Sequence, residues 1–566
     1  MASNPSLTPD APVTPTGGQA LARQLAAAGV QHVFGVPGVQ LDWAVEGLAS
    51  LEGAIQYMVP RHEQATSYMA DGYARSTGRV GVAMVVPGPG VLNAMAGLST
   101  AYACCSKVLM VAGQIHLPFI GKNLGMLHEV REQSRILESV TKWRALADKP
   151  AAVAGLVRDA LASLHTGTPR PAALEIPPDV LQARAADDVR PFVPPAPVAP
   201  DAALIKSAAA LLRRAKFPVI VAGGGVLAAG ASAELARLAE RLQAPVAITE
   251  GGLGSLPTHH PLAASPLGAR ALLPHADCVL GVGTRFVDSR GLPLVDSARA
   301  DVILLNADAV DLGLPRQPTL GLMGDARAGL AALVAELDGL PARASRAADM
   351  ERVRAWCQEQ IAPMEPQGSW LRALRAAIPE DGILINELTQ VGYLGTIAYP
   401  IRAPRSFLTP GYQGTLGYGW ATALGAAVGN PDKPVVAISG DGGFGWNLQE
   451  LATAKRYGLR AVAVVFNDSA FGNVKRMQIG QFGRAFGSDL VNPDFVKLAQ
   501  AFGIDAERVS EPAALQAALA SAVAAKRPGL IEVTVGAMPS PWHLLRSHYK
   551  AATPPPPNPL GEVPAA

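Results

Sequence analysis

Cysteine is scarce in this chain: four in 566 residues, at positions 104, 105, 278 and 357. Their spacing matches no zinc site and no leader-like segment precedes them. Neither a disulfide framework nor a structural zinc is read from them, and reduced thiols in the cytoplasm are expected. The adjacent Cys104-Cys105 lies in an apolar helix-to-strand region and reads as two small buried hydrophobes rather than a redox pair. No apolar stretch reaches the roughly 18 to 20 uncharged residues that a membrane-spanning helix needs. Charge of one sign is also lacking. The net charge is +2, with acids and bases mixed, so nothing calls for nucleic acid or an anionic membrane. No short repeat is visible. What remains is a globular composition, 49% hydrophobic and 17% charged, long enough for three cores at roughly 100 to 200 residues each. A small molecule is the expected partner.

Along the chain, residues 1–16 are small, polar and proline-containing, and a flexible arm is expected there. From 17 to 185 helical and extended patterns alternate: 20–28 periodic, Val33-Phe34 extended, 64–75 helical, 80–86 a buried strand, 90–103 helical, 108–112 another strand. This predicts a doubly wound α/β domain. Five prolines between 191 and 200 mark a linker over 186–201. A second domain of the same style follows at 202–340. Its Gly223-Gly224-Gly225 after a strand could meet a nucleotide phosphate or be only a tight strand-to-helix connection. A linker helix is expected within 341–368, a third domain at 369–545, and a proline-rich tail at 546–566 that is disordered or drapes as polyproline II.

The most specific signal lies between Gly440 and Asp468. Val435-Val436-Ala437-Ile438 has the length and branching of a fully buried strand, and Gly440-Asp441-Gly442-Gly443 would end it in a turn whose N–H groups converge on an anion. A second run, Ala461-Val462-Ala463-Val464-Val465-Phe466, ends in Asn467-Asp468-Ser469-Ala470. Its carboxylate comes 27 residues after the first, from 441 to 468. Both oxygen-rich segments would sit at strand carboxyl ends, where open α/β sheets bind ligands.

Gly440-Asp441-Gly442 with Asn467-Asp468 at this distance resembles the thiamin-diphosphate motif of the acetolactate synthase, benzaldehyde lyase and pyruvate decarboxylase group. The resemblance runs over nearly the whole chain and is nearest to acetolactate synthase large subunits. It implies three doubly wound parallel-sheet domains, pyrimidine-binding, central and diphosphate-binding. It also implies that Asp441, Asp468 and the Ala470 carbonyl hold a Mg²⁺ bridging the cofactor phosphates, with Gly440, Gly442 and Gly443 around them.

The same resemblance distributes further roles. Arg61-His62-Glu63-Gln64-Ala65 followed by Asp71-Gly72-Tyr73 is similar to the family segment whose glutamate shares a proton with the aminopyrimidine, so Glu63 takes that role. Gly414-Thr415-Leu416-Gly417 resembles the segment that bends the cofactor, with Leu416 as the wedge and the Gly414 carbonyl as acceptor. Thr389 and Gln390 lie where relatives meet the diphosphate. Val36, Pro37, Pro89, Asn93 and Gln114 match segments lining the reacting carbon, with Phe471 and Met477 as apolar walls. At Leu127-His128-Glu129 the chain departs from the usual Phe-Gln-Glu, two extra residues precede it, and His128 becomes a candidate proton donor.

These matches imply a lyase or transferase that acts on a 2-oxo acid or aldehyde through an acyl-carbanion (enamine) intermediate, with acetolactate synthase-like carboligation as the specific expectation. A 2-oxo acid decarboxylase, a benzaldehyde-lyase-like acyloin enzyme and an acyl-CoA lyase share the fold, and a catalytically silent cofactor-binding sensor is the alternative outside enzymes. Gly283-Thr284-Arg285-Phe286-Val287-Asp288 is only a short match to a flavin-contacting strand end, so FAD is left open and not predicted. Because Glu63 and the Asp441 segment belong to different domains, the resemblance implies a homodimer or homotetramer with each site shared between chains.

Overall fold

The computed structural model describes residues 14–549 and 554–563. Three six-stranded sheets, all parallel, account for the chain in order. The first holds β1 (His32–Gly35), β2 (Gln56–Met58), β3 (Gly81–Val85), β4 (Val108–Gly113), β5 (Trp143–Leu146) and β6 (Ala172–Ile176), ordered β2-β1-β3-β4-β6-β5. The second holds β7 (Pro218–Ala222), β8 (Val246–Ile248), β9 (Ala263–Ala264), β10 (Cys278–Val282), β11 (Asp301–Asn306) and β12 (Leu320–Met323), ordered β12-β11-β10-β7-β8-β9. The third holds β13 (Ile383–Asn386), β14 (Phe407–Leu408), β15 (Val435–Gly440), β16 (Ala461–Asn467), β17 (Asp505–Val509) and β18 (Gly529–Thr534), ordered β14-β13-β15-β16-β18-β17. The first and third orders are the same. The central strands of each sheet are buried on both faces, which is why they read as unbroken apolar runs rather than alternating ones.

The strand order reverses between β1 and β3 in the first sheet and between β13 and β15 in the third. At such a switch point the connecting helices leave on opposite faces and a crevice opens beyond the strand ends. The segments after β1, β3, β13 and β15 therefore hold Val36, Pro37, Pro89, Asn93, Thr389, Gln390 and the turn that begins at Asp441.

First and third domains are joined by two helices, Glu63–Thr77 and Tyr418–Gly429, that lie backbone to backbone. A Cβ at Gly72 would stand 2.1 Å from the Thr422 carbonyl oxygen, and one at Gly425 would stand 1.9 Å from that of Met69. Only hydrogen side chains permit this approach. Arg75 crosses the same joint, donating to the Thr409 carbonyl at 2.8 Å and the Tyr418 hydroxyl at 2.9 Å while pairing with buried Asp71.

The central sheet has the order of a dinucleotide-binding fold, with its switch between β7 and β10. Gly223-Gly224-Gly225 follows β7 there, but the N–H groups of Gly223 and Gly225 already donate to the carbonyls of Val282 and Gly283. Those two amides serve a tight strand-to-helix connection. Between first and second domains, residues 185–200 form no helix or strand.

At the two ends the structure adds detail to what was expected. Residues 1–13 of the expected arm lie outside the described residues. Thr16, assigned to that arm, is buried and caps the Gly17–Ala27 helix in a reciprocal bond with Gln19, because the first turn's free N–H groups need an acceptor. Within the proline-rich tail, residues 554–563 drape over the body of the protein. Trp356 donates to the Pro556 carbonyl and Asn558 to that of Ala271. Residues 550–553 and 564–566 lie outside the described residues. The Cys104 thiol is pushed up to about 12 by burial, which fits an inert side chain. No helix among the described residues is long and apolar enough to cross a membrane.

Candidate active site

β15 and β16 pair along their whole length, so Asp441 and Asp468 emerge from adjacent strand ends. Asp441 opens a four-residue helical turn, Asp441–Phe444, whose free N–H groups favour an anion nearby. Neither carboxylate is bonded to a lysine or arginine among the described residues. Asp441 accepts from the Asn492 amide at 2.6 Å, and Asp468 from the Ala470 N–H at 3.2 Å. Burial pushes both carboxyls above the usual range, Asp468 to about 6, with the Asp441 charge adding to the rise at Asp468. Two desolvated carboxylates without a counter-charge form a donor set of hard oxygens, which suits a divalent cation such as Mg²⁺. Among the described residues there is no cluster of three His, Cys, Asp or Glu, so a further ligand would come from a carbonyl such as that of Ala470, a buried residue held opposite Asp489 by the bonds Phe471 N–H to Ser488 and Leu490 N–H to Ser469.

The surrounding cradle is made by what glycine lacks. A Cβ at Gly442 would meet the Phe471 ring at 2.6 Å, and one at Gly472 would meet the Asp468 carboxylate at 2.3 Å. Gly440 stands beside the Thr389 methyl. Thr389 caps the Gln390–Ala398 helix by accepting from Gly392 N–H, and Gln390 accepts from Arg476 at 2.8 Å. Gly414 (φ 59°) and Gly417 (φ 82°) sit in left-handed backbone on either side of half-buried Leu416.

One residue of this site was not singled out from sequence. Glu387, just past β13, is wholly enclosed and accepts from Gly417 N–H at 2.7 Å, Gly419 N–H at 3.1 Å and the Ser439 hydroxyl at 2.6 Å. Gly443 packs against its carboxyl. It thereby ties the Leu416 loop to the end of β15. Only its place after an apolar strand, Ile383–Asn386, could have flagged it.

Burial raises the Glu387 carboxyl to about 7 against its three donors. An acid with a raised folded value binds more protons folded than unfolded, so its contribution to stability is whole below its ordinary 4.5 and is lost as pH climbs through about 7. That loss is on the order of 3 kcal/mol. Urea titrations of Glu387→Gln should lack this part of the decline between pH 5 and 8 that the native chain displays. Identical slopes would show that the buried carboxyl does not ionise across that window.

On the first domain, Glu63 is the first residue of its helix, and its carboxylate accepts from Asn93 at 3.0 Å. Among the described residues no side chain of the third domain bonds it. Val36 is half-buried, while Pro37, Pro89 and Asn93 are exposed around the same crevice. Gln114 is turned inward. It donates to buried Glu175 at 3.2 Å and accepts from Ile115 N–H at 2.7 Å, so both ends of its amide are committed. His128 is half-buried with φ 67°, its carbonyl against Gly88, and its Nδ1 is buried without a partner. Val39, Leu92, Leu124 and Leu127 of the first domain and Trp446, Met477, Phe482 and Phe486 of the third are large apolar side chains left exposed. Several lie on the segments that carry the site.

Comparison with known proteins gives three consecutive matches. Residues 15–136 match the thiamine pyrophosphate enzyme N-terminal TPP binding domain, 205–333 its central domain, and 390–533 its C-terminal TPP binding domain. A probable 2-ketoarginine decarboxylase of Pseudomonas aeruginosa is 37% identical over 87% of this chain and 89% of its own. A probable acetolactate synthase large subunit of Methanocaldococcus jannaschii is 31% identical over 92% of each chain. A sulfoacetaldehyde acetyltransferase of Castellaniella defragrans is 32% identical over 87% of each.

Proposed function

Because the chain belongs to the thiamine pyrophosphate enzyme family, we propose that it is a Mg²⁺-dependent enzyme that removes the carboxyl group of a 2-oxo acid as CO₂ and releases the remaining acyl unit as an aldehyde. The observation carrying this reading is the pair Asp441 and Asp468, desolvated at adjacent strand ends with no cation bonded to either among the described residues. Bound there, thiamine diphosphate supplies the carbon nucleophile and the electron sink that the decarboxylation needs.

The residues divide the remaining work. Asp441, Asp468 and the Ala470 carbonyl would hold the metal, and the Gly440–Gly443 turn would offer N–H groups to the diphosphate. Leu416 would pack against the cofactor, and the Gly414 carbonyl would accept from its amino group. Glu63 would share a proton with the cofactor's pyrimidine, a task that a mere binding protein has no use for. Its partner would be the third domain of a second copy, and the exposed apolar side chains around both crevices fit that arrangement.

His128 supports protonation as the fate of the acyl unit. Its backbone packs on Gly88 and its buried Nδ1 has no bonding partner, so the ring would be free to hold a proton for the released product. The likeness to a decarboxylase points the same way. Carboligation is the second reading, favoured by the likeness to acetolactate synthases over nine-tenths of the chain. A panel of pyruvate, 2-oxobutyrate, benzoylformate and a 2-oxo acid with a guanidino side chain, followed by CO₂ and product detection, tests the proposal. Silence on every 2-oxo acid would overturn it. On the best substrate, His128→Gln should lower aldehyde release about a hundredfold and raise the share of acyloin. An unchanged product ratio would remove His128 from the chemistry.

A further inference from the structure

Nine residues beyond Asp441 lies a second enclosed acid whose partners belong to another domain. The Glu450 side chain is fully buried. Both of its oxygens accept from Arg61 N–H, at 3.1 and 3.0 Å, one also accepts from His62 N–H at 3.1 Å, and the Thr453 hydroxyl donates at 2.5 Å. Seven residues on, the Tyr457 hydroxyl accepts from Val59 N–H at 2.8 Å. Three backbone amides just before Glu63 are therefore gripped from the third domain. His62 is the cap of the helix that Glu63 begins, so its peptide sets where that helix starts and how the Glu63 side chain departs. A carboxylate at this helix N-terminus also answers the free N–H groups and the dipole there.

At its other end Glu450 is continuous with the diphosphate turn. Backbone bonds run from Gly445 to Asp441, Trp446 to Gly443, Asn447 to Phe444 and Glu450 to Asn447 without a break. Asn447 adds a bond to the Gly417 carbonyl at 2.6 Å, tying in the Leu416 loop. Residues 441–450 form one hydrogen-bonded block with a metal-binding carboxylate at one end and the grip on residues 61 and 62 at the other.

We propose that Glu450 is a positioning residue that fixes Glu63 through the amides of Arg61 and His62 and couples the diphosphate turn of its own chain to that acid. The proposal rests on the function proposed above. If Glu63 serves the cofactor held by a partner copy, the same link runs from one active site of the dimer to the other.

Magnesium pyrophosphate is the probe, because it fills a metal and diphosphate site while leaving the pyrimidine end empty. Amide hydrogen exchange in the full-length apo chain should slow at 441–447 when the probe binds, and slow at 59–62 as well. In Glu450→Ala the Arg61 and His62 amides should exchange about tenfold faster at rest and no longer respond, while 441–447 stays protected. Glu450→Gln keeps the volume and one acceptor and guards against simple misfolding. It should leave the affinity for thiamine diphosphate within about twofold but lower kcat about tenfold. Protection at 441–447 with no response at 59–62 in the native chain, or an undiminished response in Glu450→Ala, would overturn the coupling alone. No protection at 441–447 would overturn the diphosphate reading and this proposal together.

Discussion

Asp441→Asn should lose thiamine diphosphate and Mg²⁺ binding on the order of a thousandfold, about 4 kcal/mol, while folding as well as the native chain. The asymmetry follows from what the carboxylate does in each state. Without metal, Asp441 is a desolvated charge beside Asp468, held by one amide bond from Asn492. Asparagine has nearly the same shape and keeps an oxygen to accept that bond, so the apo fold loses little. With metal, the missing charge cannot be replaced, since a hard divalent cation draws its affinity from anionic oxygen. Trp446 stands five residues on, with its ring exposed and its backbone N–H bonded to the Gly443 carbonyl, so its fluorescence should respond to changes in the turn. Titration with thiamine diphosphate and Mg²⁺ should quench it in the native chain and leave it unchanged in Asp441→Asn. Equal affinities would mean that the cation sits elsewhere.

That pair of aspartates was legible before the fold because everything defining it is local. Each carboxylate ends a buried apolar run, and parallel pairing of β15 with β16 brings the two ends together without help from any distant residue. The three sheets were legible for the same reason, since strands buried on both faces announce themselves as apolar runs between helical periods. Glu387 and Glu450 escaped because their partners are not local. Glu387 is held by glycine amides 30 and 32 residues away, and Glu450 by amides 389 and 388 residues upstream. No period or motif encodes an acid whose ligand is another segment's backbone. Thr16 was misread in the opposite way, as a loose polar residue, when its capping box with Gln19 was present in the sequence as a Thr followed three positions later by Gln. Gln114 shows a further limit. Its segment resembles a site-lining one, yet the buried Glu175 carboxylate on the next strand draws its amide inward.

Glu63→Gln should leave cofactor binding within a few fold and lower kcat by about a thousandfold, because the mutant keeps a hydrogen-bonding side chain but cannot hold a proton at the pyrimidine. Near-ultraviolet circular dichroism of the cofactor-loaded protein should lose the band of the activated pyrimidine in the same variant. The more searching test mixes chains. If Glu63 of one copy faces the cofactor held by Asp441 of another, a dimer of one Glu63→Gln chain and one Asp441→Asn chain has one site carrying both defects and one carrying neither. Random reassortment makes half of the dimers mixed, so about a quarter of native activity should return from two preparations that are each nearly inactive. If both residues served the same cofactor within one chain, every site in the mixture would be defective and nothing would return. The exposed apolar side chains around both crevices, and the lack of any third-domain partner on the Glu63 carboxylate among the described residues, favour the first outcome.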